Sequence, residues 1–176
     1  MDNLQSGVKA TRHLVEIGYK HIATITGPLN QTAGYDRYQG YLKALQDSGY
    51  PVCTELIAEG DFTEESGYNA MKHLLKHKPD AVFVASDMMA YGAMRALREA
   101  NLRIPEDVAI VGFDDNPTSP TTVPPLTTVR QPVSQMGSKA VDLLINMIET
   151  GTKFTQKVII DTELVIRESC GASKTK

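Results

Sequence analysis

Arg37 and the adjacent acids Asp114 and Asp115 are the residues whose types best suit chemistry on a small molecule. A guanidinium can give two parallel hydrogen bonds to vicinal hydroxyls or to a carboxylate. The plainer role for Arg37 is a surface salt bridge. Ionised, Asp114 accepts two hydrogen bonds, which suits neighbouring sugar hydroxyls, at about 1.5–3 kcal/mol for each bond to a charged group. Its plainer role is to cap a turn through the backbone, the part expected of Asp115. His73 and His77 stand four residues apart, a spacing that can chelate a metal. No carboxylate or cysteine nearby completes a ligand set, so an exposed, solvated pair is expected, with no metal and no cofactor. Enzyme signatures are missing: there is no G-x-S-x-G, and "GPLNQTAG" (residues 27–34) lacks the G-K-[ST] ending of a phosphate loop. Asp114 and Asp115 are neighbours in the chain, not opposed across a cleft as an acid/base pair would be. A binding function is expected, not catalysis.

Composition supports a folded domain of ordinary size: 176 residues, 41% hydrophobic and 22% charged. The formal net charge of −3 argues against a nucleic-acid surface, which needs clustered Lys and Arg. The densest basic stretch, "KHLLKHK" (residues 72–78), suits a helix C-terminus. Cys53 and Cys170 have no metal spacing and form no disulfide framework, so a reduced, cytoplasmic setting is the default. No stretch approaches the roughly 18 apolar residues of a membrane span, and "MDNLQSG" does not read as a signal peptide.

Helical and strand patterns alternate along the chain. Leu4, Val8, Thr11, Leu14 and Val15 recur at helical spacing and stop at Gly18. "HIATITG" (21–27) is a short β-branched strand, and Tyr35, Tyr38, Tyr41, Leu42 and Leu45 share a helical stripe ending at Gly49. "ELIAEGD" (55–61) is a strand, Asp61 or Thr63 caps the next helix, "DAVFVASD" (80–87) is a strand, Asp87 caps a helix from Met88 to Ala100, and "DVAIVGFDD" ends the series. This order implies an α/β fold with a parallel sheet and helices on both faces. Such sheets bind ligands beyond the carboxyl ends of their strands, where Thr26–Leu29, Gly60–Phe62, Ser86–Asp87 and Asp114–Asp115 fall. Entry directly into a helix suggests a fold lacking its front strand. The Pro/Thr/Ser-rich run after Asp115 is long for a connection within one domain and is expected to be neither helix nor central strand. An amphipathic helix (133–150) and a final strand or strand pair within "KVIIDTELVIRES" follow.

The chain resembles the C-terminal part of a transcription regulator of the lactose-repressor (LacI/GalR) family. The resemblance is carried in order by "DN" (2–3), "GYKHIATITGP" (18–28), "RYQGYLKAL" (37–45), "EGDFTEESGY" (59–68), "FVASDMMAYGAMRAL" (83–97), "IPEDVAIVGFDD" (104–115), "PPLTTVRQP" (124–132) and "ELVIRES" (163–169). It implies a periplasmic-binding-protein-like (type I) lobe over residues 1–130. Residues 131–152 would be a crossover helix of the other lobe, and 153–176 return strands and tail. Residues 126–131 would be a hinge crossover, and a DNA-binding headpiece would lie outside the chain.

The same resemblance implies the effector contacts. Arg37 and Asp114 would grip the effector, Phe62 would stack on a sugar ring, and Gln131 would reach it from the crossover. Ser86 stands where many family members carry Asn; its shorter hydroxyl implies a smaller contact set or a different effector. Met88–Ala100 is apolar nearly all round, and the resemblance implies a homodimer interface there, with Tyr91 and Met94 as contacts. The alternative is a helix buried by the chain's own C-terminal strand. The expected function is the effector-sensing portion of a sugar-responsive repressor that acts on operator DNA. The competing reading is a periplasmic or secreted sugar-binding protein of an uptake transporter.

Overall fold

A computed structural model describes residues 1–151 and 156–172. Six strands form one sheet in the order β2-β1-β3-β4-β5-β6. These are β1 (Ile22–Thr26), β2 (Ile57–Glu59), β3 (Ala81–Val84), β4 (Ala109–Asp114), β5 (Thr127–Arg130) and β6 (Glu163–Val165). The first five are mutually parallel, and β6 runs antiparallel to β5.

Strand residues alternate between two apolar layers, as a pleated strand buried on both faces requires. Ile22, Ala81, Phe83, Val111 and Phe113 pack with α1 (Asn3–Glu16) and α2 (Thr32–Asp47) through Ala10, Leu14, Tyr41 and Leu45. Ala23, Ile25, Val82, Val84 and Ile110 pack with α3 (Glu64–Leu74) and α4 (Asp87–Glu99) through Met71, Leu74, Met89, Ala93 and Leu97. Caps begin the helices where the sequence offers oxygen acceptors: Asp2 accepts from the Gln5 amide and Thr63 from the Ser66 amide.

The second face of α4 is covered by α3, and glycines make this possible. A Cβ on Gly92 would sit 1.9 Å from the Glu64 carbonyl oxygen, and one on Gly67 would sit 2.1 Å from that of Met89. The two helices therefore touch backbone to backbone. This corrects the expectations for the apolar helix. Its cover is α3, not the C-terminal strand. Met94, 3% exposed, lies in the core and has no surface to offer a partner. Tyr91 is half-buried, with its hydroxyl 2.8 Å from Ser119 Oγ. The exposed apolar groups nearby are Met88 and Val123.

Residues 127–130 differ from the expected hinge loop: they form β5, an inner strand paired to β4 on one side and β6 on the other. Thr127, Thr128 and Val129 are buried β-branched residues that suit a pleated surface. The long irregular stretch is thus the β4–β5 connection alone, with a short 3-10 turn at Ser119–Thr121. The final strand is brief, Glu163–Val165. The boundary expected at 152–153 and the tail beyond 172 lie outside the described residues. Helix α5 (Val133–Thr150) buries none of its residues. Met136, Ala140 and Leu143 line a shallow groove with Met1, Val158 and Ile160, while Val133, Leu144 and Ile148 are well exposed. Among the described residues, no helix is long and apolar enough to cross a membrane.

Candidate functional site

The carboxyl ends of five adjacent parallel strands bring the expected residues to one rim. Phe62 follows β2, Gly27 follows β1, Ala85 and Ser86 follow β3, Asp114 ends β4 and Gln131 follows β5. At about 4.8 Å per strand, this rim spans roughly 19 Å. Arg37 enters from the first turns of α2, its guanidinium reaching across to β3 and β4.

Arg37 is 5% exposed. Its Nη1 donates to the Ala85 carbonyl at 2.6 Å, and its Nε donates to Asn3 Oδ1 at 3.0 Å. The guanidinium carbon lies 3.6 Å from the centre of the Phe113 ring, a cation–π contact that fixes its plane. Among the described residues, Nη2 has no hydrogen-bonding partner. Burial pulls the guanidinium down to about 10, against the opposing charges of Asp114 and Asp87, so it stays cationic at neutral pH. Asn3 belongs to a stretch that carries the family resemblance but was given no contact from the sequence; only the folded chain brings α1 against α2 so that its side-chain oxygen can hold Arg37.

Asp114 Oδ1 lies 3.7 Å from Arg37 Nη1 and accepts from Gln131 Nε2 at 2.5 Å. Arg37, Asp114 and Gln131 are therefore one hydrogen-bonded and ion-paired chain. Burial raises the Asp114 carboxyl above its ordinary range, opposed by Arg37 and by the Gln131 hydrogen bond. The backbone of Asp114 has φ 125° and that of Asp115 φ 58°, conformations that L residues rarely adopt. Such strain costs on the order of 1–3 kcal/mol per residue and collects at functional sites. Phe62 shares the feature at φ 70°. Its ring fills the space over Gly27, where a Cβ would meet ring carbons at 2.2 Å. It also packs partly against the α3–α4 core.

Three carboxyl-edge residues take different parts from those expected. Ser86, not Asp87, caps α4: its Oγ accepts from the Met89 amide at 3.3 Å. Ser86 is only 4% exposed, so its hydroxyl serves the helix first. Asp87, fully buried, accepts from Thr128 Oγ1 and Ser119 Oγ, each at 2.6 Å, and from the Asn116 amide at 2.9 Å. Asp115 is more than a turn residue, since it accepts from Arg130 Nε at 2.6 Å and from Arg167 Nη2 at 2.7 Å. Burial acts against it, but the hydrogen bonds from Arg130 and Arg167 prevail, and its carboxyl lies below the usual range. One acid thus faces the rim, while its neighbour ties β4 to β5 and the C-terminal segment.

His73, in the last turn of α3, and His77, in the short 3-10 turn that follows, are both exposed, with ring centres 5.7 Å apart. Among the described residues, no cluster of three His, Cys, Asp or Glu could hold a metal. Cys53 is exposed and Cys170 buried, both as free thiols.

Comparison with known proteins follows the same lines. The family model for the periplasmic binding protein-like domain matches residues 11–170. The HTH-type transcriptional regulator CelR of Thermobifida fusca is 43% identical over 171 residues, 96% of this chain and 50% of that protein. The HTH-type transcriptional repressor PurR of Edwardsiella ictaluri is 39% identical over 167 residues, 94% of this chain and 49% of that protein. The chain spans about half the length of the curated relatives it matches. A solved complex of the transcriptional regulator CelR with cellobiose superposes with a TM-score of 0.92 at 43% identity, covering 96% of this chain and 52% of that one. A parallel sheet with helices on both faces, a polar rim at its carboxyl edge and these matches have one explanation: the chain belongs to the periplasmic binding protein-like domain family, in the form carried by LacI-family regulators.

Proposed function

We propose that this chain is the effector-sensing portion of a repressor, and that it binds a small sugar or sugar derivative at the rim formed by Arg37, Asp114, Phe62 and Gln131. One observation carries the reading. Arg37 is oriented by Asn3, Ala85 and Phe113 while its Nη2 is left unused, beside a carboxylate on a strained strand end. A donor fork and an acceptor fixed side by side match vicinal hydroxyls, and little entropy remains to be lost when they bind. The cellobiose complex of the relative with the same fold agrees with a saccharide. Ser86, held as a helix cap, is a secondary contact.

Residues 1–130 form one jaw of the site, and α5 belongs to the opposing jaw. Closure on the effector shifts the balance between two lobe arrangements, which requires that the ligand favour one of them. In the whole protein this balance sets the grip of a DNA-binding headpiece on its operator, in the cytoplasm. The site binds and does not catalyse. A homodimer forms through α4 and the β4–β5 connection, with Met88, Tyr91 and Val123 as the partner-facing groups.

Isothermal titration of the intact protein with mono- and disaccharides and their phosphates tests the site. Arg37→Ala and Asp114→Ala are each expected to weaken binding by about 10- to 100-fold, the loss of hydrogen bonds to a charged group. Retention of wild-type affinity by both variants, with unchanged circular dichroism, overturns the assignment.

A further inference from the structure

We infer that Asp87 is the positioning residue of this rim: without touching the effector, it holds the Asp114–Asn116 corner in the strained shape that aims the Asp114 carboxylate at Arg37. The inference rests on the effector reading given above. Asp87 is 0% exposed and, among the described residues, makes no salt bridge. Its position at the start of α4 places its charge at the positive end of the helix dipole. A buried carboxylate without a paired cation persists only if its oxygens are well supplied with donors.

The donors come from both sides of the corner. Oδ2 accepts from the Asn116 amide and from Ser119 Oγ, and Oδ1 accepts from Thr128 Oγ1. Thr128 Oγ1 is in turn 3.4 Å from the Asp115 amide, which donates to it. The amides that follow Asp114 and Asp115, the two residues at positive φ, therefore end on one carboxylate, directly or through one hydroxyl. Space is reserved for that carboxylate: a Cβ on Gly112 would stand 2.4 Å from Asp87 Oδ1. Ser119, donating to Asp87, remains free to accept from the Tyr91 hydroxyl at 2.8 Å. The same carboxylate thus joins the rim to the middle of α4.

Asn at this position can keep the Asn116 and Ser119 hydrogen bonds through its carbonyl oxygen. Its amide nitrogen then faces Thr128 Oγ1, whose hydroxyl can rotate to accept. Alanine can keep none of these bonds. The test is site-resolved amide exchange in the intact protein. In Asp87→Ala, the Asp115 and Asn116 amides are expected to exchange about tenfold or more faster relative to the Ile25 and Val111 amides. In Asp87→Asn, the Asn116 amide stays within about threefold of wild type. Thr128→Val speeds Asp115 and leaves Asn116 as it was. With cellobiose as the probe, Asp87→Ala weakens binding about tenfold, and Asp87→Asn restores it to within about threefold.

The inference is overturned if the corner amides in Asp87→Ala accelerate no more than the strand amides. Equal acceleration of both corner amides in Thr128→Val also overturns it, as does full cellobiose affinity in Asp87→Ala with a loosened corner. If wild-type protein binds no saccharide, the effector reading fails, while the exchange pattern still decides whether Asp87 holds the corner.

Discussion

Helices α4 and α5 are both rich in apolar residues and end in opposite circumstances. Met89, Ala90, Ala93, Met94 and Leu97 of α4 vanish between the sheet and α3, whereas α5 buries no residue. The difference lies in what each helix meets. Gly92 of α4 lies against the α3 backbone, but a Cβ on Gly137 of α5 would meet nothing within 4 Å. The lesson concerns where the site stands. Arg37, Asp114 and the corner held by Asp87 rest on the part of the chain that covers its own apolar surface, and Gln131 is the last rim residue before α5 begins.

The largest expected contrast is in amide exchange. Core amides of β1, β3 and β4 open with the global stability, at least about 5 kcal/mol for a domain of this kind, while α5 frays alone. Protection in these strands should exceed that in α5 by at least about 1,000-fold. An α5 as protected as the sheet would break the comparison. Next comes Gly92→Ala, which forces the α3 and α4 backbones apart and costs about 3 kcal/mol in urea unfolding, although alanine favours a helix by about 1 kcal/mol over glycine.

Asp115→Asn addresses the seam beside α5. Its loss leaves Arg167, 15% exposed in its side chain, without its anion, at a cost of about 2 kcal/mol. The folded-state pKa of Asp115 lies below the usual carboxylate range. The wild-type advantage over Asp115→Asn is therefore complete above that range and fades as pH falls through the lowered value. Chemical denaturation from neutral to acid pH checks both size and sign; an advantage that grew on acidification would refute the assignment. The smallest effect is Gly137→Ala, the same substitution as at Gly92 with the opposite sign. It should stabilise α5 by up to about 1 kcal/mol, visible as slower local exchange.

Much of the site was legible because strand ends are local features. Asp114 and Asp115 close a run of buried residues, and Arg37 lies in the second turn of the helix that follows β1, so their shared rim follows from the βαβ order. Asp87 was harder. Beside a helix start, an acid reads as a cap, yet the cap is Ser86, and the groups that claim Asp87 lie 29 to 41 residues further on. β5 was hidden by flanking prolines and by threonines that read equally well as loop. The apolar circumference of α4 left its second face without visible cover, because sequence does not show that two glycines let α3 lie against it.

By itself, the sequence determined the alternation of elements, most helix starts and the gathering of polar residues at the carboxyl edge, because periodicity and capping act over a few residues. Tertiary structure alone decided how the acids divide their work. Asp114 was left facing Arg37, Asp115 was taken by two arginines, and Asp87 was buried among donors from distant segments. A carboxylate takes its character from the groups that surround it, and only the folded chain brings those groups together.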